Sequence, residues 1–414
     1  MNILFVHQNM PGQYREMLAW LAAQGEHRIL FLTQRKDAVP IKGVTLARYA
    51  PHRKPAKDAY ALSRYFEECM GAGYGAYLAC RQIQDQGFKP DIVLGHVGWG
   101  ELTFVKQVWP DVPILGYWEY YFLSDGGSVG FDPEFPATEA ARQISLARNA
   151  VNHLCLPMID LGQCPTDWQM QTYPAEFRAR SYVCHDGIRT DWLAPDPTAR
   201  VSLARLGRTV GREDEVFTYM ARNMEPTRGF HIFMRALPRI LAARPQARAL
   251  IIGGNEVSYG AESGAPGGYR GQMERELGTG LDWSRVHFLG RLPYVDYARV
   301  VQLGRCHIYL TVPFVLSWSL MEAMAMGATI VASDTAPVRE MITDGKTGLL
   351  VDFLSPEALA RRVIDVLERP DDYAALGPAA RAHVVERYDF LTRTRAQHLA
   401  RMNSLVPRAK AIRI

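Results

Sequence analysis

Arg222 and Arg228 lie in Tyr219-Met-Ala-Arg-Asn-Met-Glu-Pro-Thr-Arg-Gly-Phe230, where an apolar run gives way to a loop and then to a segment of helical period. Two guanidiniums on so short a stretch suit a leaving group of concentrated negative charge, such as a diphosphate, whose charge must be neutralised as its bond breaks. Glu322 stands in a second strand–turn–helix pattern, and Ser319-Leu-Met-Glu322 has the spacing of a capping box. The N–H groups at the start of that helix, around Ser317, Trp318, Ser319 and Leu320, would face the preceding loop and favour an anion there. The plain alternatives are ordinary ion pairs for the arginines and helix capping alone for Glu322. Leu250-Ile-Ile-Gly-Gly254 adds a strand running into paired glycines, where Gly254 lets a ligand approach the backbone.

The first half holds a different set. His96 sits in Gly95-His-Val-Gly-Trp-Gly-Glu101, at the carboxyl end of an apolar run where glycines keep the turn open. Glu119, in Tyr117-Trp-Glu-Tyr-Tyr121, is placed either to position an acceptor hydroxyl among sugar-stacking rings or to sit in a satisfied aromatic cluster.

Short apolar runs alternating with helical periodicity must position these groups, which is the pattern of βαβ units and a parallel sheet. Strands are expected over 2–6, 27–32, 90–94 and 112–116, then over 216–220, 249–252, 286–289, 308–310 and 329–333. Helices are expected over 13–24, 57–85, 101–108 and 136–152. The chain of 414 residues is long enough for two domains, and the proline- and acid-rich stretch 191–198 marks their junction. The expected architecture is α/β: a Rossmann-like doubly wound domain over 1–194, a second over 195–385, and a helical segment over 386–414. Two such domains suggest a ligand cleft at the carboxyl ends of their strands.

The segment Glu322-Ala-Met-Ala-Met-Gly327 followed by Ala-Thr-Ile-Val-Ala-Ser333 resembles the nucleotide-sugar signature of the family 4 retaining glycosyltransferases. The resemblance implies the GT-B fold, with an acceptor-binding first domain, a donor-binding second domain and last helices that return to the first. It assigns the ribose hydroxyls to Glu322, the leaving diphosphate to Arg222 and Arg228, base reading to the main chain around Arg291, and a contact with the transferred sugar to His96. The family's glycine-containing loop near the donor phosphates falls on Gly12, with Gln13 and Arg15 lining the same side. The family carries a second Glu eight positions before the first-named one, and here that position is Phe314. By resemblance, transfer retains the anomeric configuration and requires no metal. A phosphate oxygen of the leaving group takes the acceptor's proton.

Composition bounds the rest. With 48% hydrophobic and 22% charged residues and a net charge of +4, the chain is globular and lacks the basic excess of a dedicated nucleic-acid binder. Its six cysteines show no C-x-x-C pair, so reduced thiols, no metal site and a cytoplasmic location are expected. No cofactor is expected beyond a UDP- or GDP-linked donor sugar. The stretch 35–57 carries seven basic side chains against one acidic, either a peripheral docking surface for anionic lipid at the inner face of the membrane or a solvated face. The long connection 255–279 reads as a mobile flap or a loose insertion. The reading is a metal-independent glycosyltransferase acting on a glycan, lipid-linked or other hydroxyl acceptor in surface glycoconjugate synthesis. Alternatives are a sugar-nucleotide epimerase or hydrolase of the same fold, which would need acid and base groups crowded at the sugar, or a non-catalytic nucleotide-sugar-binding subunit, which would bind without turnover.

Overall fold

Strands such as Asn2–Val6 and Arg28–Thr33 are nearly continuous in apolar residues, as buried parallel strands require when helices cover both faces. In the computed structural model, which describes residues 1–203, 207–260 and 262–413, they belong to one of two units: Met1–Gly187 with Phe390–Ile414, and Ile188–Asp389. The expected junction at 194/195 therefore lies inside the second unit.

The first unit holds β1 (Asn2–Val6), β2 (Arg28–Thr33), β3 (Val44–Arg48), β4 (Ile92–His96), β5 (Ile114–Tyr117), β6 (Leu161–Cys164) and β7 (Ser181–Val183). They form one sheet in the order β3-β2-β1-β4-β5-β6-β7, every pair parallel. The helix Ala61–Asp85 presents Ala72, Ala76 and Cys80 to one core. The helix Arg15–Gln24 presents Leu18 and Leu21 to another, where Leu399 and Met402 of the helix Arg395–Ser404 join them. Burying Phe390, Leu399 and Met402 there contributes about 1.5–3 kcal/mol each, which fastens the C-terminal segment to the first unit.

The second unit opens with an antiparallel hairpin, β8 (Arg200–Leu203) and β9 (Arg208–Gly211). Its sheet comprises β10 (Val216–Asn223), β11 (Arg248–Gly254), β12 (Val286–Gly290), β13 (Cys306–Tyr309), β14 (Ile330–Ser333) and β15 (Leu349–Val351). The order is β12-β11-β10-β13-β14-β15, again all parallel. In both units the chain winds outward from the first long strand and then crosses to its other side. The switch points, between β1 and β4 and between β10 and β13, are where loops diverge and leave a crevice.

Several local expectations change. Only Val105–Val108 of the stretch 101–108 is helical, because Glu101 turns inward to accept the Tyr49 hydroxyl at 2.7 Å and Thr103 bonds back to the Gly100 carbonyl at 2.6 Å. The stretch 136–152 is two helices, Glu139–Ala147 and Ala150–Cys155. The stretch 57–85 starts its helix at Ala61. The basic stretch contains β3, an edge strand whose half-exposed, alternating side chains give little apolar signal.

Candidate functional site

At the second unit's switch point, the loop after β10 carries Arg228 and the loop after β13 carries Phe314. Arg228 is 5% exposed. Its Nη1 donates to Thr311 Oγ1 at 2.7 Å and its Nη2 to the Val315 carbonyl at 3.1 Å. The guanidinium lies 5.2 Å from the Tyr259 ring centroid and 5.8 Å from that of Phe314, within cation–π range of both. Arg228 is thus a fixed cation joining the two diverging loops. Arg222, on β10, is exposed and makes no side-chain hydrogen bond or ion pair among the described residues. The two arginines are built differently, one buried and bonded into both loops, the other exposed and without a side-chain partner among the described residues.

Glu322 is buried on the helix Trp318–Ala325. The expected capping box is corrected here: the helix begins earlier, with Ser317 as its cap. Tyr309 fixes that start by accepting the Ser317 N–H at 2.9 Å, and Ser317 Oγ accepts the Ser319 N–H at 3.4 Å. Glu322 Oε1 instead accepts the hydroxyl of Tyr294. Leu320 lies in the first turn, its N–H 3.2 Å from the Ser317 carbonyl. Arg291 spans the ends of β10 and β11, its Nη2 donating to Asn223 Oδ1 at 3.0 Å and to Glu256 Oε2 at 2.5 Å. It crosses directly over Gly254, where a Cβ would lie 2.8 Å from Arg291 Nε and 2.3 Å from Glu256 Oε2.

Glu225 and Tyr259 were not singled out in the sequence. The Glu225 side chain is fully buried, and its Oε2 accepts three successive backbone N–H groups, from Ser258 at 3.3 Å, Tyr259 at 3.0 Å and Gly260 at 3.1 Å. Asn223 Nδ2 adds a bond to Ser258 Oγ at 2.6 Å. These bonds set Tyr259 beside Arg228. The stretch 255–279, expected as a mobile flap or a loose insertion, is tied down near its start, and the helix Gly268–Leu277 occupies most of its second half.

At the first unit's switch point, the loop after β1 and the end of β4 bring His7, Gly12, Gln13 and His96 to Glu119, which follows β5. His96 Nε2 lies 3.2 Å from Glu119 Oε2, and Gln13 Nε2 donates to Glu119 Oε1 at 3.0 Å. The His96 ring, 2% exposed, stacks on Trp99 and meets the His7 ring edge-on at 5.3 Å. Gly12, at φ +53°, passes so close over His7 that a Cβ would come within 2.9 Å of its Cε1. The Asn9 N–H donates to His7 Nδ1 at 2.8 Å, which leaves the neutral ring's proton on Nε2. Burial first, and then the charge of His96, pulls the His7 pKa down to about 3. Burial alone would raise the Glu119 carboxyl, but the hydrogen bond and charge of His96, with His7 and Gln13, outweigh it and hold its pKa below the ordinary value. Burial lifts the pKa of Glu101, whose partner is Tyr49. Arg15 pairs with its neighbour Glu16 at 2.7 Å. His7 went unremarked in the sequence, although it follows β1 directly, as a site residue at a strand's carboxyl end does. Among the described residues no group of three or more His, Cys, Asp or Glu side chains is placed to hold a metal ion.

One family model, that of the glycosyl transferase family 4 group, matches residues 25–193, and another, glycosyl transferases group 1, matches residues 208–383. The phosphatidyl-myo-inositol mannosyltransferase of Mycolicibacterium smegmatis is 31% identical over 185 residues, 43% of this chain and 42% of that protein. A GDP-mannose-dependent alpha-(1-6)-phosphatidylinositol monomannoside mannosyltransferase of the same organism is 26% identical over 53% of this chain and 54% of that protein. These matches span about half the length of the relatives. Among solved structures, Anabaena HepE with UDP and glucose aligns over 98% of this chain and 99% of that one, at a TM-score of 0.69 and 16% identity. Sucrose-phosphate synthase from Thermosynechococcus elongatus aligns over 97% of this chain and 98% of that one, at 0.69 and 17%. The structural likeness gives the α/β GT-B fold, and with the two family models covering most of its length, this chain belongs to glycosyltransferase family 4.

Proposed function

We propose that the chain is a retaining glycosyltransferase that moves a sugar from a nucleoside-diphosphate donor to a hydroxyl acceptor. The observation that carries this reading is Arg228, held immobile at the β10/β13 switch point with Glu322 on the helix that follows. A preorganised cation meets the charge developing on a departing diphosphate without reorganising during the reaction. The bond from the anomeric carbon to the diphosphate oxygen breaks, a bond to the acceptor oxygen forms on the same face, and the acceptor's proton passes to a phosphate oxygen. Arg228, with Arg222 as an exposed second cation, stabilises the leaving group. Glu322 takes the ribose hydroxyls, and Gly254 and Arg291 line the base side. His96, oriented by Glu119 and Gln13, meets hydroxyls of the transferred sugar or the acceptor, and Gly12 admits the phosphates. No protein nucleophile and no metal are required.

The first donor to test is GDP-mannose, because the relatives' names specify mannosyl transfer dependent on it, with UDP sugars second. Those names also point to phosphatidylinositol-type acceptors. An acceptor embedded in lipid is supported by the first unit's exposed Lys36, Lys42, Arg53, Lys54 and Lys57 and by the exposed Val39 and Tyr60.

The test is a thermal-shift panel of GDP, UDP and ADP with and without chelator, followed by transfer from the matching sugar nucleotide and determination of the product's anomeric configuration. A chelator-insensitive shift and a retained product are expected. Binding without transfer would favour the non-catalytic subunit, and an inverted product would remove the retaining mechanism.

A further inference from the structure

Tyr294 begins the helix Tyr294–Leu303, directly after Pro293 and close to Arg291. Its hydroxyl donates to Glu322 Oε1. Its ring is fixed from two sides: it stacks on Tyr297 at 5.8 Å, and the ring of Trp192 packs edge-on against it at 4.9 Å. Trp192 comes from the proline- and acid-rich stretch at the start of the second unit and remains 38% exposed. A carboxylate on a long side chain samples several rotamers, and freezing them costs entropy each time a ligand binds. A phenol that is itself immobilised removes that cost by holding the carboxylate beforehand, and a bond to a charged acceptor is among the stronger hydrogen bonds.

We propose that Tyr294 is a positioning residue for ribose recognition: through its hydroxyl it presets the Glu322 carboxylate for the sugar hydroxyls of the donor nucleotide. This rests on the donor-site reading given above. Tyr294 acts through Glu322, so its loss falls on discrimination between ribose and deoxyribose rather than on phosphate binding.

The experiment is calorimetric titration of the full chain with GDP and 2′-deoxy-GDP, or with the uridine pair if that base binds, for the natural protein, Tyr294→Phe and Trp192→Phe. The natural protein should prefer the ribonucleotide about tenfold, the scale of one hydrogen bond to a charged group. Tyr294→Phe keeps the ring and its packing, and should reduce that preference to within about threefold while weakening the deoxynucleotide little. Trp192→Phe retains the hydroxyl and should retain the preference. An unchanged preference in Tyr294→Phe overturns the inference, as does equal loss in Trp192→Phe, which would assign the effect to packing. No preference in the natural protein overturns the ribose assignment of Glu322. No nucleotide binding at all overturns the donor reading and this inference with it.

Discussion

The two switch points share a topology and differ in chemistry. In the first unit, the loop after β1 and the end of β4 deliver His7, Gln13 and His96 to Glu119, which follows β5; Gln13 and His96 bond the carboxylate, while His7 Nε2 and His96 Nδ1 have no hydrogen-bond partner among the described residues. In the second, the loops after β10 and β13 deliver a guanidinium flanked by two aromatic rings and a helix that carries a buried carboxylate. The first arrangement offers polar groups suited to hydroxyls, and the second a fixed positive charge suited to phosphate. The fold supplies the crevice, and the residue types in the loops decide what it binds.

The largest effect that would test this contrast comes from Arg228→Ala. Turnover should fall about 10²- to 10³-fold, as for loss of a charge-stabilising donor, and the melting temperature should also drop, because the substitution removes the bonds to Thr311 and Val315. Unchanged turnover with a lowered melting temperature would make Arg228 a loop anchor only. In the first unit, His96→Ala should lower turnover by roughly 10- to 100-fold, in line with one hydrogen bond involving a charged group, and leave nucleotide affinity intact. A loss of nucleotide affinity instead would erase the division of labour.

Glu322→Ala should weaken nucleotide binding about tenfold. Because Ser317 provides the cap, the cap's contribution of about 1 kcal/mol should be lost in Ser317→Ala and kept in Glu322→Ala. Paired melting and titration curves of the two variants separate these roles.

Acid should affect the units unequally. Burial is the first cause in every case: it holds His7 at about 3 and His185 and His398 at about 4 in the first unit, and His307 at about 4 in the second. Unfolding returns each to an ordinary value near 6.5, so between about pH 6.5 and 4 the unfolded chain binds more protons and stability falls as pH falls. The first unit should therefore lose hydrogen-exchange protection more steeply over that window, after correction for intrinsic rates. Equal slopes would mean that these histidines are not kept neutral by burial. The smallest effect is local: Glu225→Gln should reduce amide protection at Ser258, Tyr259 and Gly260 while the sheet around it keeps its own.

Much of this was legible in the chain. Apolar runs placed the long strands, since buried parallel strands need continuous hydrophobic residues, and Arg228, Glu322 and His96 stood out because they follow such runs. The short or half-exposed strands β3, β6, β7, β8, β9 and β15 were missed because runs of three to five residues carry little periodic signal. Ser319 was mistaken for the cap because two serines bracket Trp318, and only the Tyr309 hydroxyl decides which of them starts the helix.

The sequence by itself determined the element types, the fold class and the identity of the loop residues, all of which depend on periodicity and spacing along a few consecutive positions. Tertiary structure alone decided which loops meet. Gln13 reaches Glu119 across 106 residues, and Tyr294 reaches Glu322 across 28. Such pairs form only after strand order is set, and strand order is fixed by packing whole sheets and helices together, a non-local choice that no short segment encodes.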